Sequence, residues 1–124
     1  YKYKVDNGIL GKYGFAWNED AYKYACIRTA EMAYQLNQCG EAFHERPNGA
    51  NLGCGENLAT RYGVGKDPQS VEWAAEEVFQ AWLASAGHKD NIEMKNYRKM
   101  SSSKFKFWMK DWSCWGICWT QSFY

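Results

Sequence analysis

From Asn18 onward, Ala21, Ala25, Thr29, Met32 and Leu36 recur at the spacing of one face of an α-helix. Asn18 is placed to cap that helix, Glu19 and Asp20 put negative charge in its first turn, and Gly40 stops it. The pattern predicts a long first helix over residues 18 to 38. A second stripe, Val71, Ala74, Ala75, Val78, Phe79 and Trp82, follows Asp67 as N-cap and Pro68 at the first helical position. It predicts a second long helix that ends at Gly87 and leaves His88 immediately past its C-terminus.

Beyond Ser101 the period changes. Lys104 and Lys106 alternate with Phe105 and Phe107, the pattern of a half-buried strand, and Ile117 and Trp119 with Thr120 and Gln121 suit its partner. These segments predict a β-hairpin of residues 103 to 109 and 116 to 123, turning through Lys110 to Ser113, with helices covering its apolar face. Residues 1 to 14 carry three glycines and no sustained period, which predicts an irregular lead-in. Glu45-Arg46-Pro47-Asn48-Gly49 is turn chemistry, and Gly49, Gly53 and Gly55 argue against helix before Glu56.

At 124 residues the chain is one domain, 1–124, with a single core to bury. Aromatic residues make up 18%, including seven Trp and nine Tyr, so large rings must supply much of that core. Fifteen basic residues against fourteen acidic ones are interspersed and sum to +1. Such a chain has no long-range field with which to collect phosphates, which points away from nucleic acid as a partner. Charged residues interrupt every hydrophobic run well short of the roughly 18 residues that a membrane span needs, so the chain reads as not transmembrane.

The five cysteines show no Cys-x-x-Cys spacing. Cys39 and Cys54 bracket the His44 loop in a way that a disulfide could close, which favours secretion with one or two bridges and at least one unpaired thiol. The competing reading keeps all five reduced as small buried hydrophobes.

Both histidines, with Glu56, fall in loops beside helix ends. Two imidazoles and a carboxylate could form a three-ligand zinc site with one position open for water, or a general base and its orienter for hydrolysis. The bland readings are a Glu56 that caps amides or pairs with a histidine, and a His88 that C-caps the preceding helix. Asn57 and Asn91 read as loop braces, and Trp82, Trp119 and Phe123 as core. Trp108, Trp112 and Trp115 crowd the hairpin turn, where at least one is expected to be exposed as a hydrophobic or carbohydrate contact.

Gly55-Glu56-Asn57-Leu58-Ala59, then Val78 and Trp82, then Ser85-Ala86-Gly87-His88-Lys89-Asp90-Asn91-Ile92, and finally Trp119-Thr120-Gln121-Ser122-Phe123 resemble, in that order, the motifs of the CAP superfamily. That superfamily includes cysteine-rich secretory proteins, venom antigen 5 and plant pathogenesis-related proteins. His44-Glu45-Arg46-Pro47-Asn48-Gly49 resembles the His-Thr-Arg-Pro-Asp-Gly loop of its short bacterial branch. The resemblance covers residues 15 to 124 and implies an α+β fold: a three-layer α-β-α sandwich with a small antiparallel sheet between helices.

The resemblance also implies a site. Larger members line a cleft with two histidines and two glutamates that in some of them bind zinc or another divalent cation. His44, His88 and Glu56 match three of these positions, and Ser85, three residues after Trp82, stands where the second glutamate would be. Glu76 and Glu77 are not promoted to that vacancy. Metal affinity should therefore be reduced, with His44 and His88 as the candidate ligands. The family's opening Asn-x-x-Arg element is missing from Tyr1 to Tyr13.

Together these readings imply a secreted or cell-surface, non-enzymatic binding module. Its cleft would be formed by His44, Glu56, Asn57 and His88, and its ligand would be a protein, lipid or glycan. The alternative is a peptidase-like hydrolase in which His44 or His88 activates water and Glu56 orients or accepts a proton, with or without a divalent metal.

Overall fold

The structure, a computed structural model, describes residues 1–64 and 66–124; of Val64 only the backbone is described. The chain is α+β, a four-stranded sheet with helices on both faces. Helix α1 (Lys2–Asp6) and the two-residue strand β1 (Ala16–Trp17) precede the long helix α2 (Glu19–Cys39). Strand β2 (Gly55–Val64) and a 3₁₀ turn (Pro68–Val71) lead to helices α3 (Ala75–Leu83) and α4 (Ala86–Glu93). The hairpin β3 (Lys99–Met109) and β4 (Cys114–Phe123) completes the chain.

Helix α2 forms where the apolar stripe placed it. The Asn18 side chain accepts from the Ala21 N–H at 2.8 Å, and Gly40 ends the helix in the left-handed region at φ 77°. The hairpin also matches its pattern, with strands that begin earlier than the alternation suggested and a 3₁₀ turn at Lys110–Trp112.

Three elements depart from expectation. The lead-in is not wholly irregular, because tertiary contacts hold α1. Lys4 is buried, its Nζ donating to the Met94 carbonyl at 3.0 Å and lying 4.7 Å from the Phe15 ring centroid, while the Tyr3 hydroxyl donates to Glu93 at 2.8 Å. Glu93 and Met94 lie about ninety residues away, beyond the reach of any local pattern.

The second long helix is instead three pieces. After the 3₁₀ turn, Glu72 to Ala74 run extended, with the Arg61 guanidinium 4.6 Å from the Trp73 ring and donating to the Glu72 carbonyl. Glu77 then accepts from the Ala74 N–H at 3.0 Å and restarts the helix. A second break at Ser85, which is extended at φ −108°, ψ 120°, starts α4. Gly87 is thus the second residue of a helix rather than a stop, and His88 sits in a first turn rather than past a C-terminus.

The third departure is β2: Glu56, read as part of a loop, lies in a ten-residue strand. The strand order is β1-β3-β4-β2, with β2 and β3 antiparallel to β4, and the short β1 parallel to β3. Successive side chains of each strand point to opposite faces. On one face Phe107, Met109, Cys114 and Cys118 pack against Met32, Ala33 and Leu36 of α2. On the other, Phe123 packs with Val78 and Trp82 of α3 and Ile92 of α4, with half-buried Trp119 against them. Trp108 and Trp112 are exposed near the hairpin turn. Among the described residues no helix is long and apolar enough to cross a membrane.

Candidate functional site

The site begins with a charge on an apolar stripe. Arg28 lies between Ala25 and Met32 on the inner face of α2, fully buried, where an unpaired guanidinium would be prohibitively costly. It is satisfied by Glu56, one residue into β2: Arg28 Nε donates to Glu56 Oε2 at 2.7 Å and Nη2 to Oε1 at 3.0 Å. Arg28 Nη1 also pairs with Glu31, one turn on. Burial depresses the basicity of Arg28, but hydrogen bonds to Glu56 and Glu31 outweigh it and hold the guanidinium above its ordinary pKa.

The same charges position the His44 loop. Arg28 Nη2 donates to the Phe43 carbonyl at 3.0 Å, Gln35 accepts from the Phe43 N–H at 3.1 Å, and Gln35 Nε2 donates to the Glu45 carbonyl at 2.9 Å. Arg46 grips both oxygens of Glu31 and lies 5.4 Å from the Tyr24 ring. His44 is held between these clips, with Nδ1 3.1 Å from Glu56 Oε1 and its side chain 54% exposed. Donation from Nδ1–H to the carboxylate leaves Nε2 as the unprotonated nitrogen of the neutral ring.

His88 arrives from the other layer. Its Nδ1 lies 2.9 Å from Ser85 Oγ, so Ser85 engages the second imidazole. Asn57 and Asn91 lock α4 to β2: Asn57 Nδ2 donates to the His88 carbonyl at 3.1 Å and to Gln121 Oε1 at 3.2 Å. Asn91 Nδ2 donates to Asn57 Oδ1 at 2.9 Å and to the Glu56 carbonyl at 3.2 Å. Burial, and secondarily the charge of His44, lower the pKa of His88.

A cleft of about 310 Å³ opens between the two layers, lined by Ala42, Phe43, His44, Leu58, Thr60 and His88 among others. Of the four residues expected in it, His44 and His88 line it, whereas Glu56 and Asn57 are buried behind it. The imagined three-ligand zinc site is not assembled. Among the described residues no group of three or more His, Cys, Asp or Glu is placed to hold a metal ion, and the Glu56 carboxylate is already gripped by a guanidinium. Two imidazoles alone fall short of the three protein ligands that a zinc site uses.

The cysteines do not staple the loop. All five are free thiols, and Cys39 Sγ donates to the Gln35 carbonyl at the end of α2 instead of reaching Cys54. Arg28, Glu31, Gln35, Phe43 and Arg46 were missed as site residues. Arg28 carried a signal, since a charge at helical spacing between Ala25 and Met32 requires a buried partner. The others carried none.

No family model and no curated protein matches the sequence. Among solved structures, the fold is similar to that of an outer surface protein from Borrelia burgdorferi, with a TM-score of 0.57 and 14% sequence identity over 98% of this chain and 84% of that one. At that identity the likeness concerns the fold alone.

Proposed function

We propose that the chain is a CAP-type domain of α-β-α layered build that works at the cell surface or outside the cell as a binding module. The observation that carries this reading is the state of Glu56. A carboxylate that accepts two hydrogen bonds from Arg28 and one from His44, with 1% of its side chain exposed, is scaffold rather than an available base. What remains facing the cleft is a pair of imidazoles beside Phe43 and Leu58, a surface suited to recognition. The order of the CAP motifs supports the family, and the surface protein of like fold supports the location.

The contact between His44 and Glu56 favours one second reading, a hydrolase in which the carboxylate orients His44 as a base. The test combines NMR titration of the full chain with a phospholipid vesicle, a soluble oligosaccharide and a peptide mixture, and turnover assays on casein and an activated ester. A binding module shows shifts at His44 and His88 with one of these probes, binds that probe more weakly by calorimetry in the H44A/H88A variant, and shows no turnover. Turnover lost in H44A would establish the hydrolase and sink the binding module.

A further inference from the structure

Strand β2 is an edge of the sheet, and hydrogen-bond parity shows which of its backbone groups face outward. In an antiparallel ladder, alternate residues aim both N–H and C=O at the neighbouring strand and the residues between them aim both away. The Tyr124 and Lys99 main chains bond to each other in both directions, at 2.9 and 3.0 Å. Even-numbered positions of β4 therefore face β3, and odd-numbered ones face β2. Through the pairs Asn57 with Gln121, Ala59 with Trp119 and Arg61 with Ile117, the odd residues of β2 face β4.

Glu56, Leu58 and Thr60 consequently aim their main chains away from the sheet. Two of their carbonyls are capped by side chains from the helices: the Glu56 carbonyl accepts from Asn91 Nδ2 at 3.2 Å, and the Leu58 carbonyl from Trp82 Nε1 at 3.0 Å. Covering an edge in this way is how native sheets avoid unwanted pairing. The covering stops at Leu58. Among the described residues, the Leu58 N–H and both the N–H and C=O of Thr60 have no hydrogen-bond partner within the protein.

This uncapped stretch lies in the cleft between His44 and His88. Within the cleft this edge is Leu58-Ala59-Thr60, which carries no charge; the first charged residue beyond it on β2 is Arg61, which is drawn onto the Glu72 carbonyl. A lipid chain or a helix leaves those backbone groups unpaired, and an extended peptide satisfies them.

We propose that the cleft binds an extended peptide segment of another protein, which adds to β2 as a further strand at Leu58–Thr60; this rests on reading the cleft as a binding site. The Leu58 N–H donates to the peptide, and Thr60 both donates to it and accepts from it. Successive peptide side chains fall on opposite faces, one toward Phe43 and His44 and the next toward Ala59 and His88. Phe43, 41% exposed, selects an apolar residue on its side.

The test pans a phage-displayed heptapeptide library on the full chain and resynthesises an enriched peptide with each residue N-methylated in turn. Strand addition predicts a loss of at least tenfold in affinity at alternate positions only, together with slowed hydrogen exchange at the Leu58 and Thr60 amides. T60P deletes an outward N–H without touching the β4 ladder, and it should also weaken binding at least tenfold while circular dichroism shows it folded. The N-methyl scan stands if T60P does not fold. Affinity that is lost in H44A/H88A but shows no period-two dependence on N-methylation would overturn strand addition and leave the cleft reading intact. No enriched peptide, with a vesicle or oligosaccharide shifting the His44 and His88 signals, would overturn the peptide and keep the cleft. Self-association abolished by T60P, again with no enriched peptide, would assign the edge to a second copy and overturn the proposal, and no probe binding at all would sink both readings.

Discussion

Arg28 and Glu56, twenty-eight residues apart, form a two-pronged ion pair entirely out of solvent, at 2.7 and 3.0 Å. The pair ties α2 to β2 and fixes the carboxylate that in turn holds His44. Its role is therefore to set the geometry of the cleft wall.

Removing one partner of such a pair strands a buried charge. We expect Glu56→Leu and Arg28→Met each to lower stability by about 3–5 kcal/mol in urea unfolding, and the double variant R28M/E56L to cost less than the sum of the two single changes. Additive losses would show that the two side chains do not act as a unit.

His88 should titrate below an ordinary histidine, chiefly through burial and secondly through the charge of His44. Because the folded chain then takes up the proton later than the unfolded one, this group's contribution to stability is complete above about pH 6.5 and is lost as pH falls through the folded pKa. NMR of the imidazole Cε1–H should show the low midpoint. In H44A it should rise only part of the way, since burial remains. A midpoint at or above the ordinary value would refute the burial argument.

Gly55 is required for space. A Cβ there would lie 2.1 Å from the Tyr97 hydroxyl, whose ring stacks on Phe123 with centroids 5.4 Å apart. Gly55→Ala should cost about 1–3 kcal/mol in thermal or urea unfolding, the range for forced overpacking, and Tyr97→Phe in the same background should recover part of it.

Free thiols make a counting prediction. Cys39 is exposed and should alkylate rapidly in the native protein. Cys118 is buried and its pKa is pushed up to about 12 by desolvation, so it should react only on unfolding. Mass spectrometry after timed alkylation checks the order, and early modification of Cys118 would contradict the packing.

Much of the scaffold was legible because it obeys short-range rules. Helix α2 follows from one apolar stripe between an Asn18 cap and Gly40, and the hairpin from alternation around Phe105 and Phe107. The α3 and α4 region misled, because a continuous stripe conceals two extended breaks. There, contacts of Trp73 with Arg61 and of Ser85 with His88 compete successfully with helix propensity.

The candidate site divides along the same line. His44, Glu56 and His88 stood out as residue types, but not which of them faces outward. That depended on Arg28, a helix residue whose partner lies on a strand where the sequence suggested a loop. From the sequence alone came the helix and hairpin that build the sheet, and the chemical identity of the groups near its edge. The roles of those groups came from packing: two layers closing on β2 bury Glu56 against a guanidinium and leave two imidazoles in the cleft. Beneath them runs a short stretch of unpaired backbone, because burial and hydrogen-bond parity are properties of elements brought together and not of any one segment.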